Sequence, residues 1–375
     1  MVKKKNLSIE LLRIIACFLV IMAHIQRGIV QDGIIYAGRL FFSTIIADNV
    51  PIFIIITGFF MFSGINCDND ILGSYKKRIK SYILGVYIPA LITAVVLWFF
   101  SPFLAGECSL TENLTLKFAP SLSSIEGYLF RFETGEQFGH LWYIFTYLKL
   151  VIFFPLIAFI CQDRPDRNKL RRFLLITAVI MAVIVDIQYI THRKMLNFSE
   201  FMLDYSFVYL VLGYELSLFF KKHSNFNIKI TLTFFSAYIV SVALKMLLQR
   251  LAYQINGLNA DPRLTWLECS LCFVSSAGLF GGLFSLNSFL IKNKILEKSI
   301  AFVGKRTFFI YLIHLPIIRL TSQLDALFRG LNNDSLTFFS AFLYYLEYGL
   351  IVFIISFVLA IVFEWLYNLI IKKFK

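Results

Sequence analysis

Apolar runs of about twenty residues recur along this chain, each closed by a cluster of charges, and the pattern predicts helices rather than strands. A helix of that length, at ~1.5 Å per residue, crosses the ~30 Å hydrocarbon core of a bilayer. Ten such segments are expected, near 7–27, 41–63, 82–104, 140–161, 173–191, 203–220, 230–249, 266–291, 300–321 and 348–371. The ninth has only twelve residues between Arg306 and Arg319. It must snorkel at its ends or break, and Pro316 is the expected breaker. No long polar block separates the runs, so residues 1–375 read as one membrane-embedded domain. The fold class is therefore all-α, a polytopic integral membrane protein.

Composition and charge fix the orientation. The chain is 58% hydrophobic with 42 phenylalanines and a mean hydropathy of +0.74, whereas soluble domains run at ~45–50% apolar. Placing alternate loops in the cytoplasm, starting with the N-terminus, puts 23 of the 36 Lys and Arg there and ten outside; Arg13, Lys149 and Lys245 fall within spans. Positive loops stay inside, so both termini are expected to be cytoplasmic. That bias accounts for most of the net charge of +13, and no nucleic-acid partner is implied. Met1 to Lys5 is basic, but no small-residue cleavage site follows the first apolar run, so it is not read as a cleavable signal.

The first helix carries the most informative polar residues. Arg13 and His24 are eleven residues apart, which returns them to within ~20° of one face and separates them by ~16 Å. Ionisable side chains at such depths are expensive and usually functional. Other polar residues fall inside spans. Asp186 and Lys245 are expected partners for each other, and Glu347 is expected at the outer boundary of the last span. Cys269 and Cys272 have metal-like spacing without a second ligand pair, so they read as packing residues and no metal site is expected. Gly281-Gly282 should permit close helix packing. The external loop at 105–139, with a short amphipathic stretch at Ile125 to Phe132, is long enough to suggest a lid or acceptor-binding element. His192 and His223 lie in loops and carry no signal.

Four motifs in order resemble the acyltransferase-3 family of integral membrane O-acyltransferases. They are Glu10-x-x-Arg13 with His24 in the first helix, and Val50-Pro51-Ile52-Phe53 with Thr57-Gly58-Phe59 in the second. His140-Leu141-Trp142-Tyr143 opens the fourth, and Thr307-Phe308-Phe309-Ile310-Tyr311-Leu312-Ile313-His314 lies in the ninth. The sequence departs from the family pattern at Glu10 (Asp), at Thr307-Phe308 (Ser-Tyr) and at Arg78-Ile79-Lys80 (Arg-x-Arg). The resemblance implies a stand-alone member, without the esterase-like extension that many relatives carry. Such an enzyme moves an acyl group, acetyl above all, from cytoplasmic acyl-CoA to a hydroxyl of an extracytoplasmic glycan or lipid-linked sugar, in the cytoplasmic (inner) membrane. The alternatives are a multi-pass transporter, of serine or a glycan, or a membrane sensor; a homodimer is left open.

That chemistry assigns roles. Transfer from a thioester to an alcohol needs a base at the hydroxyl and electrostatic help for the oxyanion. His24, in the outer half, is the expected general base; His314, a second catalytic candidate, and His140 are expected in the outer half or middle, so three of the five histidines fall at a similar depth. Arg13, in the inner half and oriented by Glu10, suits a donor phosphate or pantetheine amide. Lys76, Arg78, Lys80, Lys305 and Arg306 are expected at the CoA phosphates, Lys149 along the pantetheine path, and His140, Trp142 and Tyr311 at the acceptor. Acyl-CoA enters as a co-substrate, with no permanently bound cofactor.

Overall fold

The computed structural model describes residues 6–25, 30–31, 34–35, 37–62, 68–100, 103, 109–115, 139–191, 205–223, 227–257, 267–290, 293–321 and 338–371. Among them the protein is helical apart from a two-residue antiparallel ladder, Val30 opposite Ile35 and Gln31 opposite Ile34. The helices are α1 (Leu7–Ile25), α2 (Ala37–Ile46), α3 (Asn49–Met61), α4 (Asp68–Tyr82) running through a π turn into α5 (Ile88–Phe99), and α6 (Leu110–Thr115). Then come α7 (Trp142–Ile152), α8 (Phe154–Ile160), α9 (Pro165–Thr191), α10 (Tyr205–Lys222), α11 (Ile228–Asn256) and α12 (Ser270–Ser285). The series ends with α13 (Asn287–Leu290), α14 (Lys294–Gly304), α15 (Thr307–Leu320) and α16 (Phe338–Ile371).

Each of the ten predicted segments is helical, but they do not all meet the test for a span. Among the described residues six helical stretches, counting α2 with α3 and α4 with α5 as one each, are long and apolar enough to cross a membrane, or eight if two bent pairs each count as one. The bent pairs are α7 with α8, at 61°, and α14 with α15, at 60°. Pro155 follows the first break, where its missing amide leaves the helix ladder open. Helix α10 falls short because Glu215, Lys221 and Lys222 share its eighteen residues, and α12 because it has only sixteen.

The ninth segment breaks, though not at Pro316. The bend falls at Lys305-Arg306, between Gly304 and Thr307, and α15 runs unbroken through Pro316. The cause is tertiary: Gly304 packs against Glu10 so closely that a Cβ there would overlap its carboxylate.

Helix α1 is the axis of the bundle. It packs against α2, α3, α12, α14, α15 and α16, and 61% of its apolar window is buried, against 22–28% for α9, α11 and α16. The peripheral helices show which side meets lipid. On α16 the buried positions Tyr344, Tyr348, Val352, Ser356 and Ala360 recur every fourth residue. Its exposed positions Leu346, Leu350, Ile354, Val358 and Val362 form the opposite stripe. Helix α11 opens on Asn227, whose side chain accepts from the Lys229 amide at 2.9 Å, and stops at Gly257, whose positive φ of 57° only glycine adopts without strain. Most of the loop at 105–139, expected to be external, including the stretch at Ile125 to Phe132, lies outside the described residues. Its α6 opens on a capping box in which the Ser109 amide and hydroxyl both donate to Glu112, holding that carboxyl below its usual range.

Close helix approach rests on glycine. Gly58 of α3 faces the Leu210 backbone and Gly213 of α10 faces the Ile55 backbone, so these two helices meet main chain to main chain. Gly281 and Gly282 of α12 lie against the rings of Phe234 and Phe235, as the paired glycines suggested. Gly58→Ala is expected to lower the thermal unfolding midpoint in detergent, costing at least the ~1–3 kcal/mol of an overpacked core. An unchanged midpoint would mean that α3 and α10 can separate freely.

Candidate active site

Three of the five histidines meet at one place. His24 comes from the last turn of α1, His140 from the 3₁₀ turn Gly139–Leu141, and His314 from the middle of α15. Their ring centroids lie 5.1 Å apart for His24 and His314, 5.1 Å for His140 and His314, and 6.4 Å for His24 and His140. His140 and His314 are buried, whereas His24 is exposed. Among the described residues no three His, Cys, Asp or Glu side chains are arranged to hold one metal ion.

Backbone carbonyls fix the two buried rings. His140 Nε2 lies 3.2 Å from the Leu312 oxygen, and His314 Nδ1 lies 2.6 Å from the Tyr311 oxygen. A carbonyl can only accept, so each of these nitrogens must be the donor. The hydroxyl of Tyr311 in turn donates to the carbonyl of His140, tying α15 to the turn before α7. Tyr344 of α16 donates to the Ile25 carbonyl at 3.3 Å, holding the end of α1 beside the cluster.

Below the histidines lies a cavity of about 400 Å³. Its walls are Arg13 and Val20 of α1, Val50, Phe53, Ile56 and Thr57 of α3, Tyr143 and Tyr147 of α7, and Phe308, Phe309 and Tyr311 of α15, with Gly304 and Lys305 at the bend. Arg13 and Val20 are two turns apart on one face, and His24 follows one turn beyond Val20. The cavity therefore has a cationic end, Arg13 and Lys305, and an aromatic wall; the imidazoles are not among its lining residues, and His24 lies one turn beyond its wall along α1. Arg13 pairs with Glu10 at 3.2 Å, with its side chain 37% exposed while Glu10 is buried.

The basic residues expected at the donor phosphates are distributed unequally. Lys305 reaches the cavity and lies 3.6 Å from Glu364 of α16. Arg306 is buried, paired with Glu364 at 2.8 Å and stacked over Phe302 at 3.9 Å. Arg78 donates to the Met61 carbonyl and lies over the Phe154 ring, binding α4 to the end of α3 and to α8. Lys76 and Lys80 of α4 are exposed. Lys149 is partly buried and, about 200° round α7 from Tyr147, is not part of the cavity wall. Trp142 packs edge-on to Tyr143, with ring centroids 6.3 Å apart. His192 lies outside the described residues, and His223 packs on Phe219.

Asp186 and Lys245 do not pair with each other. Asp186 accepts from the Ser270 amide at 3.2 Å and from its hydroxyl, capping α12 from a neighbouring helix. Lys245 is fully buried and pairs with Asp48, 3.4 Å away, while donating to the Thr44 carbonyl and to Ser275. Cys272 also points at Asp48. Glu347 is exposed on α16. Among the cavity residues to which the sequence assigned no role are Thr57, Tyr143 and Tyr147. A signal existed, because His140, Tyr143 and Tyr147 follow helical spacing and place three polar rings on one face.

A family model described as an acyltransferase domain matches residues 6–365. Comparison with curated proteins and with solved structures gave no match. With nearly the whole length matched and several apolar helices of spanning length, the chain belongs to the acyltransferase-3 family and is a multi-pass membrane acyltransferase.

Proposed function

We propose that this enzyme moves an acyl group, acetyl in the first instance, from cytoplasmic acyl-CoA to a hydroxyl of an extracytoplasmic glycan or lipid-linked sugar. The reading takes the chain as ten spans in the cytoplasmic membrane with both termini inside. The observation that carries it is the alignment of a cationic cavity mouth, an aromatic sleeve and an imidazole cluster along α1.

In this reading Arg13 and Lys305 hold the polar part of the donor, Arg13 through its planar two-point donor face. The aromatic walls of α7 and α15 surround the pantetheine arm and exclude water, which strengthens the electrostatics at the reacting carbon. The thioester carbonyl then lies near Tyr311 and Tyr143, beneath His24. The acceptor hydroxyl approaches His24 from the exposed side. Its oxygen attacks the thioester carbon as its proton passes to His24, and the tetrahedral intermediate collapses with loss of the C–S bond. The proton on His24 leaves with the thiolate, so the products are the ester and free CoA-SH.

The test is direct. Purified full-length protein, incubated with acyl-labelled acetyl-CoA and total envelope glycans, is expected to produce ester-linked label that mild alkali releases. No ester in any glycan fraction, together with no acyl-CoA binding by calorimetry, would favour a transporter.

A further inference from the structure

A proline that does not break its helix frees a carbonyl. Pro316 lies within α15 and has no amide hydrogen, so the carbonyl of Leu312, four residues earlier, lacks its helical donor. A buried carbonyl left unpaired costs about as much as a lost hydrogen bond. His140 supplies the missing donor through Nε2, at 3.2 Å. His314 is held in the complementary way, with Nδ1 donating to the Tyr311 carbonyl.

Each neutral imidazole has one donor nitrogen and one acceptor nitrogen. With the donors assigned, the acceptors are His140 Nδ1 and His314 Nε2. Both are buried, and neither has a hydrogen-bond partner among the described residues. The adjoining ring is His24, 5.1 Å from His314 in centroid separation and 6.4 Å from His140.

We propose that Pro316 is a positioning residue for acyl transfer: by withholding its amide it surrenders the Leu312 carbonyl to His140, fixing a buried imidazole pair whose unpaired acceptor nitrogens adjoin His24 and receive its inward N–H during transfer. This rests on the reading of His24 as the base. An acceptor pair behind His24 turns its N–H inward and its lone pair outward, toward the arriving hydroxyl. When His24 takes the proton, its inward N–H closes onto one of these acceptors, and the bond that forms spreads the new charge. A carboxylate does this in a Ser-His-Asp triad. Two neutral rings do it without placing a permanent charge in the bilayer, where an isolated ion is expensive.

The tautomers are measurable without any assay of transfer. Full-length protein labelled with ¹⁵N-histidine has five imidazoles to resolve, and single His→Gln variants assign them. The wild type is expected to carry its proton on Nε2 at His140 and on Nδ1 at His314. Pro316→Ala restores a helical amide, which should reclaim Leu312 and release His140 into a mixture of tautomers. Its kcat should then fall by roughly 10–10²-fold with donor KM unchanged, less than the ~10⁴-fold of a triad histidine held in the wrong tautomer. A wild-type His140 protonated on Nδ1, or a Pro316→Ala protein with unchanged tautomer and kcat, overturns the proposal. If Pro316→Ala does not remain monodisperse, His140→Phe replaces it: the ring fills the same space but neither donates to Leu312 nor accepts from His24. Its kcat should fall similarly, and a full rate overturns the proposal. Full transfer in His24→Ala, with the tautomers as stated, would locate the failure in the parent reading instead.

Discussion

His24→Ala is expected to lower acyl transfer by ~10²–10⁴-fold, the usual contribution of a general base, while leaving acyl-CoA affinity unchanged. The residue is exposed at the end of α1, so its removal should leave the bundle intact. It also stands above the cavity that would hold the donor, with Val20 one turn below it as the nearest wall residue on that face. Arg13→Ala should fail in the opposite way. It removes the guanidinium from the cationic end of the cavity, weakening donor binding by ~1.5–3 kcal/mol, as for hydrogen bonds to charged groups. It also leaves the buried Glu10 without its 3.2 Å partner. Calorimetry and label incorporation on the same monodisperse preparations separate the two effects. A wild-type rate in His24→Ala would move the proton to another acceptor, with His314 Nε2 the next candidate.

Some of this site could be read from the chain and some could not. The shared face of Arg13 and His24 is a property of one helix, and eleven residues of spacing suffice to show it. The meeting of His24, His140 and His314 was legible as a common depth, because span order and charge bias set how far each lies from the surface. The fate of Pro316 was not. A proline in a short apolar run predicts a break, yet the bend falls at Lys305-Arg306 because Gly304 meets Glu10, 294 residues earlier in the chain. Pro316 remains helical because His140, a side chain from a different segment, takes the carbonyl it frees. The partners of Lys245 were illegible for the same reason. Depth alone allowed Asp186, and only the packing of α11 against α2 and α12 selects Asp48. Local periodicity determines where helices run, and contacts between distant segments determine which polar groups meet.

The Asp48–Lys245 pair should dominate stability. Asp48 stands at the break between α2 and α3, and its carboxylate collects Lys245 of α11 together with Ser275 and Ser276 of α12. All four side chains are fully buried. Lys245→Met alone strands a carboxylate in this interior, and the loss of one partner from a buried pair costs about 3–5 kcal/mol. Asp48→Asn should cost a comparable amount by stranding the ammonium. The double variant Asp48→Asn/Lys245→Met removes both charges, and replacing a whole buried pair is often neutral or stabilising. It should recover most of the wild-type midpoint in a detergent melt, as the Ser275 and Ser276 hydroxyls can still donate to the oxygen of the introduced amide. Two single variants that melt with the wild type would show that the pair contributes nothing to stability. Because α3 carries Val50, Phe53, Ile56 and Thr57 of the cavity wall, the pair bears on activity only through the seating of that helix. The folded double variant should therefore retain acyl transfer, whereas His24→Ala, equally well folded, should not.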